Sequence, residues 1–194
     1  MKPSHRLSAL TILALLAACA PTTPPPPPPP PAAPAPLAAS DADFVQQAAQ
    51  LNLTEIALGK LAPTKAAKST VKNYAQRLIA AHSGAQDKLA TIASTHGVTL
   101  PTAPDADNQQ TITSLGGMKR ARFDQAYLAA TIQAHENAVT FAATEAATTS
   151  DAGLKAYAQE LEQMAQQHLT AARALTRHPG HPAGYAGARQ SRHH

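Results

Sequence analysis

The sequence predicts an all-α fold in which four long helices form two hairpins joined by a long crossover. Only three prolines occur between residues 40 and 177, namely Pro63, Pro101 and Pro104. Alanine, leucine, glutamine and lysine dominate this stretch, and all four favour helices. Apolar residues recur there at alternating steps of three and four. The connection from Gly97 to Met118, roughly twenty residues, is much longer than neighbouring antiparallel helices need.

The first two predicted helices are separated by a proline. The first begins at Ser40 or Asp41, either of which is a good capping residue, and it ends at about Ala62 because a proline follows. The second begins near Thr64. It ends at Gly97, because glycine suits the left-handed conformation that follows many helices.

The second pair of predicted helices follows the crossover. The third helix covers about Lys119–Ala147, and the fourth covers Asp151 to about Arg177, after which a proline stops it. A shorter helix, Asp105–Leu115, is predicted on the crossover itself.

Each long helix carries one seam of apolar residues, with the spacing of bundles that pack knobs into holes. In chain order the seams are Phe44, Ala48, Leu51, Glu55, Leu58, Ala62; Val71, Ala75, Leu78, His82, Ala85, Leu89, Ile92; Leu128, Ile132, His135, Val139, Ala142, Ala146; and Leu154, Ala158, Leu161, Ala165, His168, Ala172, Leu175. We expect all four seams to face one core. Two short-looped hairpins with one long crossover make the ferritin-like arrangement of a four-helix bundle.

Each seam contains one side chain that can bind a metal ion: Glu55, His82, His135 and His168. Metal sites in bundle cores use inward-facing imidazoles and carboxylates from facing helices. One glutamate and three histidines suit a single zinc, copper or iron ion. The alternative is that the four are hydrogen-bonded core residues without a metal, which is the commoner role of a single buried histidine.

The carboxylates argue against a di-iron site. Ferritin-like dimetal sites use Glu-x-x-His on two helices, but Ile79 and Ala165 stand three residues before the histidines of the second and fourth helices. Ferroxidase activity and iron storage are therefore not predicted. Asp124, on nearly the same face as His135, is predicted to be either an outer partner of the site or a polar contact in a further layer of the bundle. The sequence has no phosphate-binding loop or nucleophile elbow, so an enzyme is the less favoured class.

The first 18 residues have the layout of a secretory signal. Lys2 and Arg6 precede the apolar run Leu7–Ala18, which rises only about 18 Å as a helix and is too short for a membrane span of about 30 Å. The run ends in Leu-Ala-Ala-Cys, which resembles the bacterial lipobox and implies a lipid on Cys19. Ala20 follows in place of an aspartate, which favours the outer membrane with the protein facing the periplasm. The alternative is a free thiol near an ordinary cleavage site.

Residues 19–39 are predicted to form a stalk. Eleven prolines fall between Pro21 and Pro36, and eight of them form the unbroken run Pro24–Pro31. Proline fixes φ and lacks the amide hydrogen, so this segment favours a polyproline II helix of about 3.1 Å per residue, or roughly 50 Å in all. The folded domain is assigned to residues 40–177. The Gly- and His-rich residues 178–194 are predicted to be a disordered tail.

Charge and cysteine content exclude several classes of function. The chain has a net charge of +4, but residues 40–178 hold twelve basic and twelve acidic side chains. A neutral domain argues against nucleic acid as a partner. A single cysteine excludes an internal disulfide, a CxxC redox pair and a four-cysteine zinc site.

The order of short motifs resembles a known bacterial family, domain of unknown function 4142. The motifs are Val71-Lys72-x-Tyr74-Ala75, Phe123-Asp124 and Leu154-Lys155-x-Tyr157-Ala158, each leading to one of the three seam histidines. The resemblance covers about Asp43 to Leu175. It implies an exported, often lipid-anchored, ferritin-like protein without an established activity. We therefore expect an envelope protein with a structural or partner-binding role, its partner an envelope protein or the cell wall, and a metal-binding or redox protein is the alternative.

Overall fold

The computed structural model describes residues 36–177, in which all regular secondary structure is helical. The helices are α1 (Ala39–Gly59), α2 (Ala62–Lys65), α3 (Ser69–Thr95), α4 (Ala106–Gly116), α5 (Arg120–Thr148) and α6 (Ala152–Arg177). The all-α prediction is confirmed for this range. None of its helices combines the length and the apolar character needed to cross a membrane. The predicted signal peptide, the lipid on Cys19, nearly all of the stalk and the tail lie outside the described residues.

The four long helices pack around a common interior. Helix α1 packs against α3 and α5, and α6 packs against the same two helices. Asp41 at the start of α1 accepts a hydrogen bond from Thr149 at the end of α5 (2.8 Å), so α1 and α5 are antiparallel. Gly59 at the end of α1 lies against Ala75 near the start of α3, so this pair is antiparallel too. Helices α3 and α5 therefore run in the same direction.

The crossover between α3 and α5 runs along the outside of α1. Gln46 Nε2 donates to the carbonyl of Thr99 (2.9 Å), and Gln50 Oε1 accepts from the amide of Asp105 (2.9 Å). Helix α4 follows and also packs on α1. The crossover thus carries the chain from the end of α3 back to the opposite end of the bundle, where α5 begins.

Side chains and a glycine define three helix ends as predicted. Gly97 has a φ of 69°, and the amide of Val98 donates to Ala93 O (2.8 Å), the bond pattern that closes many helices. The Asp105 carboxylate accepts from Asn108 N (2.9 Å) at the start of α4. Asp151 does the same for Leu154 N (2.7 Å) at the start of α6.

Three predicted boundaries of the first two long helices differ from the structure. Neither Ser40 nor Asp41 caps α1, which starts after Ala38 without a side-chain cap, because the Asp41 carboxylate is engaged with α5. Helix α1 ends at Gly59, and the next long helix begins at Ser69 rather than Thr64. The reason is Pro63, which stands in the first turn of the separate helix α2, where its missing amide hydrogen costs nothing.

The core consists of two apolar clusters, one toward each end of the bundle. The largest side chains of the first are Tyr74, Leu78, Phe123 and Tyr127, and those of the second are Phe44, Leu89, Leu154, Tyr157 and Leu161. A polar layer lies between the two clusters, with buried side chains from α1, α3 and α5. The candidate site is therefore enclosed halfway along the bundle.

Two buried acids, Asp41 and Glu145, lie at the end of the bundle where α1 begins. Glu145 on α5 is 5% exposed, and its Oε1 atom has no hydrogen-bond partner among the described residues. Burial, together with the nearby charge of Asp41, raises the pKa of Glu145 to about 7. The folded chain thus keeps a proton on Glu145 at pH values where the unfolded chain has released it, and the free energy of unfolding falls as the pH rises from 4.5 toward 7.

We predict that Glu145→Gln stabilises the protein above pH 7, because the amide keeps the size of the side chain and cannot ionise. At pH 8 we expect the melting temperature of the variant to exceed that of the wild type by about 2–4 °C, and the difference to vanish near pH 4.5. Circular dichroism melts at the two pH values measure it. Glu136→Gln, on the same helix but half-exposed, is the control. An equal gain in both variants at pH 8 would contradict the prediction, since it would reflect net charge alone.

Candidate metal centre

Three imidazole rings meet in the polar layer. His82 on α3, His135 on α5 and His168 on α6 each offer one nitrogen, and the three nitrogens lie within 4.8 Å of one another. The Nε2 atoms of His82 and His135 are 3.3 Å apart, and Nε2 of His135 is 3.1 Å from Nδ1 of His168. Nitrogens bound tetrahedrally to one zinc ion at 2.0–2.1 Å would be roughly 3.3 Å apart. These two separations therefore suit shared ligation of a single ion.

The helices bring the three rings together through the seam positions of the sequence. Each histidine lies in the middle of its apolar seam, and the steps of three and four keep that seam on the face that meets the other helices. His82 and His135 are fully buried, whereas His168 is partly exposed. The histidine cluster thus has two rings inside the bundle and one near its surface.

Hydrogen bonds on the far side of two rings determine which nitrogen faces the cluster. His82 Nδ1 is 2.9 Å from Asn52 Oδ1, and His135 Nδ1 is 2.8 Å from the carbonyl oxygen of Thr131. Both oxygens are acceptors, so each Nδ1 carries the hydrogen and donates it. The two Nε2 atoms then present lone pairs to each other, which is the state in which imidazole binds a metal.

Asn52 is held in this orientation by its own partners. Its Nδ2 atom donates to the hydroxyl of Tyr157 (3.1 Å) and to Gln86 Oε1 (3.2 Å), which leaves Oδ1 facing His82. The side chains of α1, α3 and α6 are therefore linked through one buried amide. This arrangement supports the ring of His82 in the way that outer partners support the ligands of metal sites.

Burial keeps the three imidazoles neutral. It lowers the pKa of His82 well below its usual value, with the nearby His135 and His168 as further causes. Burial likewise lowers the pKa of His135, against a hydrogen bond to Thr131 that raises it, and brings the pKa of His168 to about 4. At pH 7 protons therefore compete weakly for the nitrogens that face the cluster.

Glu55 lies next to the three histidines but outside their closest group. Its Oε1 atom is 3.8 Å from His135 Nδ1, the nitrogen on the outer side of that ring. Glu55 is fully buried, and neither carboxyl oxygen has a hydrogen-bond partner in the described part of the chain. Burial raises the pKa of Glu55 to about 8, so the group is mostly protonated at pH 7. Of the four predicted ligands, the structure brings three together and puts the fourth behind His135.

Asp124 is a polar contact in another layer of the bundle and not an outer partner of the site, which is the second of the two predicted roles. Its two carboxylate oxygens accept from the amides of Ala67 (3.0 Å) and Lys68 (3.2 Å), just before α3. Eleven residues separate Asp124 from His135, which corresponds to about 16 Å along the helix axis. The two side chains share a face of α5 but lie in different layers of the bundle.

The partners of the histidines do not follow from the seam pattern. Asn52 lies beside the seam of α1, one residue after Leu51, so the pattern does not mark it as a core residue. It precedes Glu55 by three residues, a spacing that puts both side chains on one face of the helix. A search for polar pairs at this spacing would have found Asn52. The Thr131 carbonyl is a backbone group, for which the sequence offers no signal.

A helical bundle with a buried cluster of histidines is the class of protein that these observations define. The family model described as domain of unknown function (DUF4142) matches residues 26–175. The chain belongs to this family, as the motifs predicted. No curated protein matches the chain.

Two solved structures share the fold. The first is a DUF305 fragment from Deinococcus radiodurans, with a TM-score of 0.65 at 11% identity, covering 72% of this chain and 97% of the other. The second is a candidate spore coat protein from Bacillus halodurans C-125, with a TM-score of 0.60 at 13% identity, covering 79% of this chain and 97% of the other. At such low identity the likeness concerns the fold alone.

We predict that Asn52→Ala destabilises the apo protein by about 1–3 kcal/mol, because it leaves the buried His82 Nδ1–H without its acceptor and removes the donor to Tyr157. Urea unfolding followed by circular dichroism measures the change. Asn73→Ala, at an exposed position of α3, is the control and should alter the free energy of unfolding much less. Equal losses in both variants would mean that the Asn52 amide does not hold the layer together.

Proposed function

We propose that this protein binds one transition-metal ion in its core, through His82 Nε2, His135 Nε2 and His168 Nδ1. One observation carries the proposal: two Nε2 acceptors face each other at 3.3 Å while both Nδ1 hydrogens are committed to other partners. Two lone pairs at this distance repel each other, and a cation held by both nitrogens and by His168 Nδ1, which lies 3.1 Å from His135 Nε2, would remove this repulsion. A proton shared by the two nitrogens would give the pair a positive charge, and burial disfavours protonation of both rings. A metal ion is therefore the cation that fits this position.

The donor set favours a single zinc, copper or iron ion. Imidazole binds each of these metals well, and three histidines leave a fourth position for water or another ligand. Glu55 is the carboxyl group beside the cluster, and a bound divalent ion would favour its ionised form, whose negative charge would partly balance the charge of the ion. Two iron ions would need several more carboxylates. We propose metal binding and assign no catalytic step.

The proposed architecture is a ferritin-like four-helix bundle. The support is the parallel course of α3 and α5, which pack diagonally across the core while α1 and α6 pack against both. A simple up-down-up-down bundle would make the second and third long helices antiparallel. One long crossover between two hairpins gives the ferritin-like order instead.

The proposed location is the cell envelope, with the domain anchored to the outer membrane by lipid on Cys19 and facing the periplasm. The support is the sequence Leu-Ala-Ala-Cys at the end of the apolar run, followed by the proline-rich segment. The proline segment would separate a helical domain from the bilayer by up to about 50 Å. An envelope protein or the cell wall is the partner proposed for a domain so displayed.

The metal content of the full chain, purified in detergent without an affinity tag, tests the proposed site. We expect about one zinc, copper or iron ion per chain by elemental analysis, because the three nitrogens converge on one point. The variant His82→Gln with His168→Gln should lose the ion, since only one ligand is left. Circular dichroism must show that the variant keeps its helix content.

The histidines of residues 178–194 require a matched control, because histidine-rich tails bind metal ions without a defined site. Substituting His178, His181, His193 and His194 by alanine should leave the bound ion in place. Loss of metal from this variant, or equal metal in the wild type and the core double variant, would refute the proposed site. The protein would then be better described by the structural or partner-binding role.

We predict that Cys19→Ser abolishes lipid attachment and moves the protein from the membrane fraction to the soluble periplasmic fraction, because serine lacks the thiol that is acylated. Incorporation of labelled palmitate and sucrose-gradient separation of the membranes measure this. Thr22→Ser, three residues later, is the control and should keep the label. Unlabelled wild-type protein would contradict the proposed anchor.

A further inference from the structure

The three imidazoles of the candidate centre differ in their access to solvent. His82 and His135 are fully buried, and Asn52 and the Thr131 carbonyl cover the outer sides of their rings. His168 is the one member of the three with an exposed part of its surface. Its ring belongs to α6, and the backbone carbonyl of the same residue accepts from the Tyr74 hydroxyl of α3 (3.0 Å). His168 is thus the member of the centre nearest to solvent, and the Tyr74 bond joins its helix to α3 on the α3–α6 face.

A groove of about 290 Å³ lies on this face. Two of its lining residues adjoin ligands: Ala81 directly precedes His82, and Met164 lies one turn before His168. Small residues keep the groove open, and a Cβ atom added to Gly84 would meet nothing within 4 Å. The ion pair between Lys88 and Glu160 (2.5 Å) bridges the two helices among the lining residues farther along. The end of the groove near Ala81 and Met164 is therefore close to the centre.

A fixed positive charge stands near the exposed ligand. The Arg77 guanidinium lies 5.9 Å from the centre of the Tyr74 ring, and the hydroxyl of that ring donates to the carbonyl of His168. Arg77 precedes Ala81 by four residues and so shares its side of α3. A cation at this position repels a free divalent ion that approaches His168.

We propose that metal ions enter and leave the centre between α3 and α6, with His168 as the first ligand that they meet and Arg77 as a barrier to free cations. This inference rests on the proposed metal site and adds its route of exchange. On the α3 side of this route the lining residues next to Ala81 are small, namely Ala80, Gly84 and Ala85. A route directly to His82 or His135 would have to part the packed helices that bury these two rings completely.

The rate at which a chelator removes the metal tests this route. Full-length protein loaded with zinc is mixed with an excess of a chromophoric chelator, and the release is followed by absorbance. Ala81→Leu should slow the release on the order of tenfold, because a larger side chain must be moved aside. Ala134→Leu is the matched control: Ala134 directly precedes His135 as Ala81 precedes His82, and lines a groove between α1, α4 and α5. Its release rate should stay close to that of the wild type.

Two further variants keep the test decisive. Gly84→Leu should slow the release as well, and replaces Ala81→Leu if that variant does not fold. Arg77→Gln should speed the uptake of free zinc severalfold at low ionic strength, and the gain should disappear near 1 M salt, where charges are screened within about 3 Å.

The outcomes separate this route from the proposed site. If the wild type binds one zinc ion but Ala81→Leu and Gly84→Leu release it at the wild-type rate, the route is wrong and the metal site stands. Equal slowing by Ala81→Leu and Ala134→Leu would also overturn the route, because it would indicate opening of the whole bundle. A wild-type protein that binds no zinc, copper or iron would overturn the metal site itself.

Discussion

The contact between His82 and His135 is the constraint on which the rest of the core depends. Two buried imidazole rings, whose Nε2 atoms are 3.3 Å apart, interrupt the apolar interior. Burying such polar groups without partners costs several kcal/mol. The structure meets part of this cost with the amide of Asn52 and the carbonyl of Thr131. These bonds engage the outer nitrogens only, and the inner nitrogens have each other and, for His135, Nδ1 of His168 at 3.1 Å as their neighbours.

The sequence predicts which faces of the helices carry the site better than it predicts which residues make up the site. Steps of three and four put His82, His135 and His168 on the inner faces of their helices, whatever the details of the helix ends. The height of each residue along the bundle depends on the helix ends. The predicted ends of the first two long helices were wrong near Pro63, since this proline begins a short helix rather than ending a long one. Asp124 faces the core as expected, yet it lies too far along the axis to reach His135.

Glu55 and Asn52 illustrate a second limit of sequence patterns. Both residues lie on one side of α1 at about the level of the histidines, but only Asn52 bonds a ring. The direction of a side chain depends on rotamers and neighbours that spacing does not describe. The solved structures with 11% and 13% identity indicate how widely sequences with this fold diverge. What such a fold does is therefore decided by a few polar side chains inside it.

The two ends of the described chain lie at opposite ends of the bundle. Helix α1 starts beside the end of α5, whereas α6 finishes about 39 Å further along, since it rises 1.5 Å for each of its 26 residues. Tension applied between the two termini would pull α1 and α6 lengthwise past their neighbours. All interhelical contacts along these two helices would then share the load at once, instead of separating one after another. The domain is thus built to resist stretching along its long axis.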